Sequence, residues 1–222
     1  MASKRLSKRD IKEDTFITNM LKGWEYVREH QGYVFAGLIA VVIIVAGINW
    51  YVNSREQSRI GAMSQFSEGL TAYRNGDLET AEAIFRNVGD QYGNLREGVY
   101  AQYFLGECAL ADGRNFAAIE KYDAYLAKSG SHPFYRDAAR DGKGVALENE
   151  RRHKEAADVY YELSNDIETN TFMETVYLRR AAENYKKSNE IDKVIEIMER
   201  LLDLTTGTER RDIEVELAIL RG

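Results

Sequence analysis

Small residues recur at a fixed interval through most of this chain: Gly69, Gly106, Gly144 and Ala182 stand 37, 38 and 38 residues apart. Each lies in the same local pattern. FSEGLTAYRNGDLETAEAIFRNV reads as a helix carrying the small residue, a stop at Asn75–Gly76, a cap at Asp77, and a second helix with Ala81 and Phe85 facing inward. YFLGECALADGRNFAAIEKYDAYL repeats these roles with Gly106, Gly113, Ala118, Tyr122 and Tyr125. RDGKGVALENERRHKEAADVYYEL does so with Gly144, Ala156, Tyr160 and Leu163, and LRRAAENYKKSNEIDKVIEIMERL with Ala182, Val194, Met198 and Leu201. One helix pair cannot cover its own apolar face, so a period of this length predicts pairs stacked into a solenoid. The small residues let the second helix of each pair approach the first closely, with Ala81, Ala118 and Ala156 doing the same from the facing side.

The punctuation agrees. Gly76 and Gly113 suit the left-handed position that ends a helix, Asp77 and Asn115 suit caps of the second helix in each pair, and Pro133 suits a first helical turn. With one proline in 222 residues and no strand-like alternation, the expected fold class is all-α. About four helix pairs are followed by a closing helix, TERRDIEVELAILRG, with Ile213, Leu217 and Leu220 on one stripe and Thr208 as its cap. The pattern over about residues 60–205 resembles the tetratricopeptide repeat (TPR), most closely in GDLETAEAIF. It departs from that family in three places. The spacing exceeds the usual ~34 residues, Glu150–Arg151–Arg152 stands where a glycine turn is expected, and the fourth unit lacks both glycines.

Ahead of the repeats, Tyr33–Val52 holds twenty residues without a charge, YVFAGLIAVVIIVAGINWYV. That length spans a bilayer core of ~30 Å as a helix, and Tyr33, Trp50 and Tyr51 fit the two interfacial belts. Lys4, Arg5, Lys8, Arg9, Lys12, Lys22 and Arg28 precede the stretch, while only Arg55 and Arg59 occur in the twenty residues after it. This imbalance predicts a cytoplasmic N-terminus and an exported remainder. The stretch starts too late, and lacks the small-residue site, for a cleaved signal peptide. The organisation read from sequence is therefore residues 1–32 as a cytoplasmic tail, 33–52 as a transmembrane helix and 53–222 as an exported TPR-like solenoid. Residues 1–9 are expected to be disordered and drawn to anionic lipid. In residues 10–30, Phe16, Ile17, Met20, Leu21, Trp24 and Val27 form a stripe suited either to the membrane surface or to a partner. No Gly/Pro linker follows Val52, so helix is expected to continue toward the first repeat.

A short polar N-terminus, one span and repeats beginning soon after it resemble the YfgM-like ancillary subunits of the bacterial Sec translocon (SecYEG). EDTFITNMLKGWEYVREHQGYVFAG carries the resemblance at the N-terminal end. It implies a single-pass protein of the bacterial inner membrane. Its periplasmic repeats would meet the Sec translocon, periplasmic chaperones or exported polypeptides, with membrane lipid around the span. A scaffold or assembly subunit of another envelope complex needs the same anchor and repeats, and the sequence leaves both roles open.

Charge and motifs narrow the chemistry. The chain is −6 overall but +2 over residues 1–32, leaving −8 for the rest, a poor match for nucleic-acid phosphates. His30, His132 and His153 lack ligand-spaced partners, and no phosphate-loop, G-x-S-x-G or Cys/His nucleophile pattern is present. Cys108, in FLGECALA, reads as a packing thiol. The sequence thus predicts no cofactor, no metal and no enzyme. Binding is the positive reading, on the first helix of each pair. Phe66, Leu70, Tyr73, Tyr100 and Tyr103 form an aromatic end of the expected groove; Asp141, Glu148, Asn149, Arg179, Glu183 and Lys186 form a charged end. Aromatics at these spacings serve equally as packing between helices, so the sequence offers two readings of the first group.

Overall fold

The structure, a computed structural model, describes residues 8–129, 132–166 and 171–222, with side chains from residue 17 onward except Thr171. The expected disordered tail falls, over residues 1–7, outside the described residues, as does the side chain of Phe16 in the N-terminal stripe. Every regular element among the described residues is helical. The chain divides into two compact units, Met1–Gln57 and Ser58–Gly222.

In the first unit, α1 spans Lys8–Glu29. Its backbone bonding passes through His30, whose N–H donates to the Tyr26 carbonyl at 3.0 Å while Val34 N–H donates to the His30 carbonyl at 3.0 Å. Ile17, Met20, Leu21 and Trp24 are exposed on α1. Next comes α2, Gln31–Arg74, 44 residues long. It is long and apolar enough to cross a membrane, and none of its apolar window is buried within the chain. Helix continues past Val52 without a break, as the missing linker predicted.

In the second unit the end of α2 pairs with α3 (Leu78–Tyr92), α4 (Arg96–Ala111) with α5 (Asn115–Lys128), α6 (Arg136–Asn149) with α7 (His153–Asp166), and α8 (Thr171–Lys187) with α9 (Ile191–Leu204). A further helix, α10 (Gly207–Arg221), packs on α9. The second helix of each pair contributes two large side chains to the core: Phe85 and Val88, Tyr122 and Tyr125, Tyr160 and Leu163, Ile197 and Leu201, each at most 1% exposed. Burying each such side chain contributes about 1.5–3 kcal/mol. The small residues do the steric work expected of them. Tyr122 lies against Gly106 of α4, and Tyr160 against Gly144 of α6, where a Cβ would come within 2.7 and 2.5 Å of the ring.

The turns inside the four pairs share one hydrogen-bond pattern. Gly76 N–H reaches the Tyr73 carbonyl and Asp77 N–H the Ala72 carbonyl; the same two bonds recur at Gly113 and Arg114, Arg151 and Arg152, and Asn189 and Glu190. This is the two-bond cap that closes a helix through a left-handed residue. Gly76 and Gly113 have φ of +79° and +71°, and Arg151 and Asn189 take the same conformation at 59° and 61° without being glycine. The third and fourth turns are therefore made with the wrong residue type but the right geometry. Two expected caps are corrected. Asp77 does cap α3, accepting from Thr80 N–H at 3.1 Å. Asn115, however, lies inside α5 and donates to Glu150 at 3.0 Å in the next unit, and Thr208 lies inside α10, whose N-cap is Thr206. Pro133 opens a 3-10 turn, Pro133–Tyr135, just ahead of α6.

Candidate protein-binding furrow

The predicted aromatic end of the groove is mostly core. Phe66 and Tyr103 are each 8% exposed, and Leu70, Tyr73 and Tyr100 are half-buried against them. Phe66 packs on Phe85 and Phe104 at ring separations of 5.6 Å. Tyr103 is covered by Tyr135 of the 3-10 turn, stacked at 4.6 Å and 5°, and Tyr100 meets the same ring edge-on at 5.0 Å. The Tyr73 hydroxyl donates to Glu107 at 3.3 Å; burial first, and then that carboxylate, push its pKa up to about 12. The physical reason is the packing of α4, which buries nine residues around most of its circumference and leaves little open wall. Tyr135, inserted between the second and third units, then closes what remains.

The charged end divides in two. Asp141 and Glu148 of α6 point into a half-buried network centred on Arg180, which neither composition nor spacing had singled out. Arg180 Nη1 donates to Asp141 at 2.5 Å and Nη2 to Glu148 at 3.1 Å, while its guanidinium lies 4.1 Å over the Tyr160 ring. The Tyr160 hydroxyl also donates to Glu148, at 3.1 Å, and the Asn184 amide donates to Glu148 at 2.5 Å. His153 Nδ1 lies 3.0 Å from the other end of that amide. Burial raises the Asp141 carboxyl above its ordinary range, with Arg180 pulling the other way. Three elements, α6, α7 and α8, are locked together by these bonds, so this group serves stacking between units. Asn149 is exposed and donates to Asn115 of α5 at 3.0 Å, across the boundary between the second and third units.

Arg179, Glu183 and Lys186 form the part of the prediction that lines an open site. They stand along one wall of a cleft of about 490 Å³ between α8 and α10, with α9 beneath. Glu209, Asp212 and Glu216 of α10 make the facing wall. Arg179 pairs with Glu209, and Lys186 with Glu216 at 2.8 Å, so two ion pairs span the mouth. Ala182, Val194, Met198, Leu201 and Ile213 form an apolar floor. Beyond the Arg179–Glu209 pair the furrow continues as a hollow of about 290 Å³ lined by Phe172, Val176 and Leu204. Sequence reading missed the α10 wall. Its signal was available, since Glu209, Asp212 and Glu216 recur at i, i+3 and i+7 on one side of that helix.

Cys108 is fully buried, and burial, followed by Glu82 and Glu107, pushes its pKa up to about 11, which leaves the thiol protonated. Among the described residues no group of three or more His, Cys, Asp or Glu side chains could hold a metal ion.

Residues 66–133 match the family model of the tetratricopeptide repeat. No curated protein matches the chain in sequence. Among solved structures, a Podosopora anserina protein described as a kinesin light chain with nearly identical TPR-like repeats aligns at 19% identity and a TM-score of 0.53, covering 73% of this chain and 85% of that one. A double mutant of MamA from RS-1 aligns at 19% identity and a TM-score of 0.54, covering 72% and 82%. A TPR repeats protein from Bacteroides fragilis aligns at 18% identity and a TM-score of 0.50, covering 72% and 70%. Identities this low speak to architecture alone, and the architecture they share with 72–73% of this chain is a TPR-like helical solenoid.

Proposed function

We propose that this chain is a single-span protein of a bacterial inner membrane that presents a non-catalytic, polypeptide-binding solenoid on the periplasmic side. The observation that carries the reading is the uncharged part of α2, unburied along its length and continuous in sequence with a TPR-like array. Seven Lys/Arg before that segment, against two in the twenty residues directly after it, support export of the repeats. Solenoids of this kind present long surfaces for other proteins, and the furrow beside α8 is a surface of that sort. The resemblance in layout to the YfgM-like subunits supports a place beside the Sec translocon, among periplasmic chaperones and emerging polypeptides.

Purification of tagged full-length chain in a mild detergent, with quantitative mass spectrometry of what comes with it, tests this role. Sec subunits or periplasmic chaperones enriched over a control membrane protein support it. A different complex recovered in fixed stoichiometry assigns the chain to a scaffold of that assembly instead. Protease added to spheroplasts should remove a C-terminal tag and spare an N-terminal one, and a protected C-terminal tag overturns the orientation.

A further inference from the structure

We propose that the furrow between α8 and α10 receives a basic polypeptide segment bearing one aliphatic or aromatic anchor, admitted when the Arg179–Glu209 and Lys186–Glu216 pairs swing aside. This rests on the protein-binding reading above and narrows it to one site and one partner chemistry. The walls carry four carboxylates, Glu183, Glu209, Asp212 and Glu216, against two cations. Both cations are engaged, Arg179 by Glu209 and Lys186 by Glu216. Among the described residues Glu183 and Asp212, one on each wall, make no ion pair. A lysine or arginine entering the furrow meets both, whereas an acidic segment meets walls of net negative charge.

The floor explains the anchor. Val194, Met198, Leu201 and Ile213 line the cleft beneath the two wall-to-wall ion pairs and are 0, 8, 1 and 5% exposed. A partner reaches that surface only by displacing the spanning pairs. Their side chains are 41 and 49% exposed in one pair and 56 and 38% in the other, and ion pairs so open to water hold little stability. The opening is therefore easily made, and the apolar surface beneath rewards a side chain that fills it. A volume of about 490 Å³ lies within the ~300–1,000 Å³ of ordinary binding clefts.

The test uses full-length protein in a nonionic detergent and three synthetic peptides of equal length. One alternates Lys with Leu, one replaces each Lys by Glu, and one replaces each Leu by Ser. Methyl-labelled methionine gives a local readout, because Met198 is on the floor while Met20 and Met63 are exposed on α1 and α2. The Lys/Leu peptide should shift the Met198 methyl resonance saturably, and the other two should not. A Glu183→Gln/Asp212→Asn double variant, with melting unchanged, should bind about tenfold more weakly. Three results overturn the proposal: no binding by any peptide, binding with Met198 unmoved, or equal binding by the Glu/Leu peptide. Any of these leaves the broader protein-binding role intact if purification still recovers a specific protein partner.

Discussion

Tyr122 is clasped between two helices, and that arrangement yields the sharpest test of the repeat geometry. A Cβ on Gly106 of α4 would lie 2.7 Å from Tyr122 Cε1 and 2.8 Å from Cδ1; one on Gly142 of α6 would lie 2.5 Å from Oη and 2.6 Å from Cζ. The ring cannot swing away, being 0% exposed and tied by its hydroxyl to Glu107 at 2.6 Å. Alanine at either position gains about 0.5–1 kcal/mol of helix propensity and incurs about 1–3 kcal/mol of overpacking. The net loss is about 1–2 kcal/mol for each variant, lowering Tm by about 2–8 °C in a chain of this size. Circular-dichroism melts of the full chain in detergent measure it. The decisive comparison is made with Tyr122→Leu, which itself costs about 2–4 kcal/mol but vacates the space both new methyl groups need. In that background Gly106→Ala and Gly142→Ala should become neutral or stabilising. Gly89→Ala, whose Cβ meets only the tip of Gln102, should be near neutral in both. Equal cost for the Gly106 and Gly142 variants in the two backgrounds refutes the clasp.

Arg180→Met strands Asp141, leaves Glu148 without its cation and removes the charge over Tyr160, so urea unfolding should register a loss of about 2–3 kcal/mol; Lys186→Met, at an exposed pair, should change stability by less than about 0.5 kcal/mol. Comparable effects for the two would mean the Arg180 network does not hold the units together. The Glu82 carboxyl is held below its ordinary range, chiefly by hydrogen bonds from Arg114. A depressed folded-state pKa gives stability that is complete above the unfolded value and lost as pH falls through the folded one. The melting difference between wild type and Glu82→Gln should accordingly be small at neutral pH and vanish on acidification past the carboxylate range. Cys108 should resist a maleimide at neutral pH in the native chain and react promptly in urea, and labelling of the native protein at the same rate would contradict its burial.

Much of this fold was legible because steric demands leave single-letter traces. A missing Cβ at Gly69, Gly106 and Gly144 marks where an aromatic ring from the partner helix must fit, and such positions recur at the repeat interval. The aromatic groove was misread because helical spacing identifies a face but not what covers it. Phe66 and Tyr103 occupy the same repeat position as Asp141 and Arg179, and nothing local says that the first two are enclosed. Phe66 is enclosed by Phe85 and Phe104, and Tyr103 by Tyr135, which belongs to an insertion outside the repeat pattern. Arg180 was invisible for a related reason: its partners Asp141, Glu148 and Tyr160 lie 20–39 residues away, on elements whose register only stacking fixes. Arg179, Glu183 and Lys186 line a cleft as their place on the first helix of a pair suggested, because charge at those positions faces away from the packed side.

The turn at Arg151 has a consequence for how the array comes apart. Its φ of 59° puts an ordinary L-residue in the left-handed region, at a cost of roughly 1–2 kcal/mol that Gly76 and Gly113 avoid in the earlier turns. Asparagine tolerates the same conformation better, so Asn189 carries less of it. Units in a solenoid touch only their neighbours, which keeps such a local penalty from being shared along the stack. Native-state hydrogen exchange should therefore find the weakest seam around α6 and α7, with amides there protected less than those of α4 and α5. Arg151→Gly should close that gap. Opening at this seam would release α8, α9 and α10 as one block, still joined to each other, from the helices that precede it in the chain.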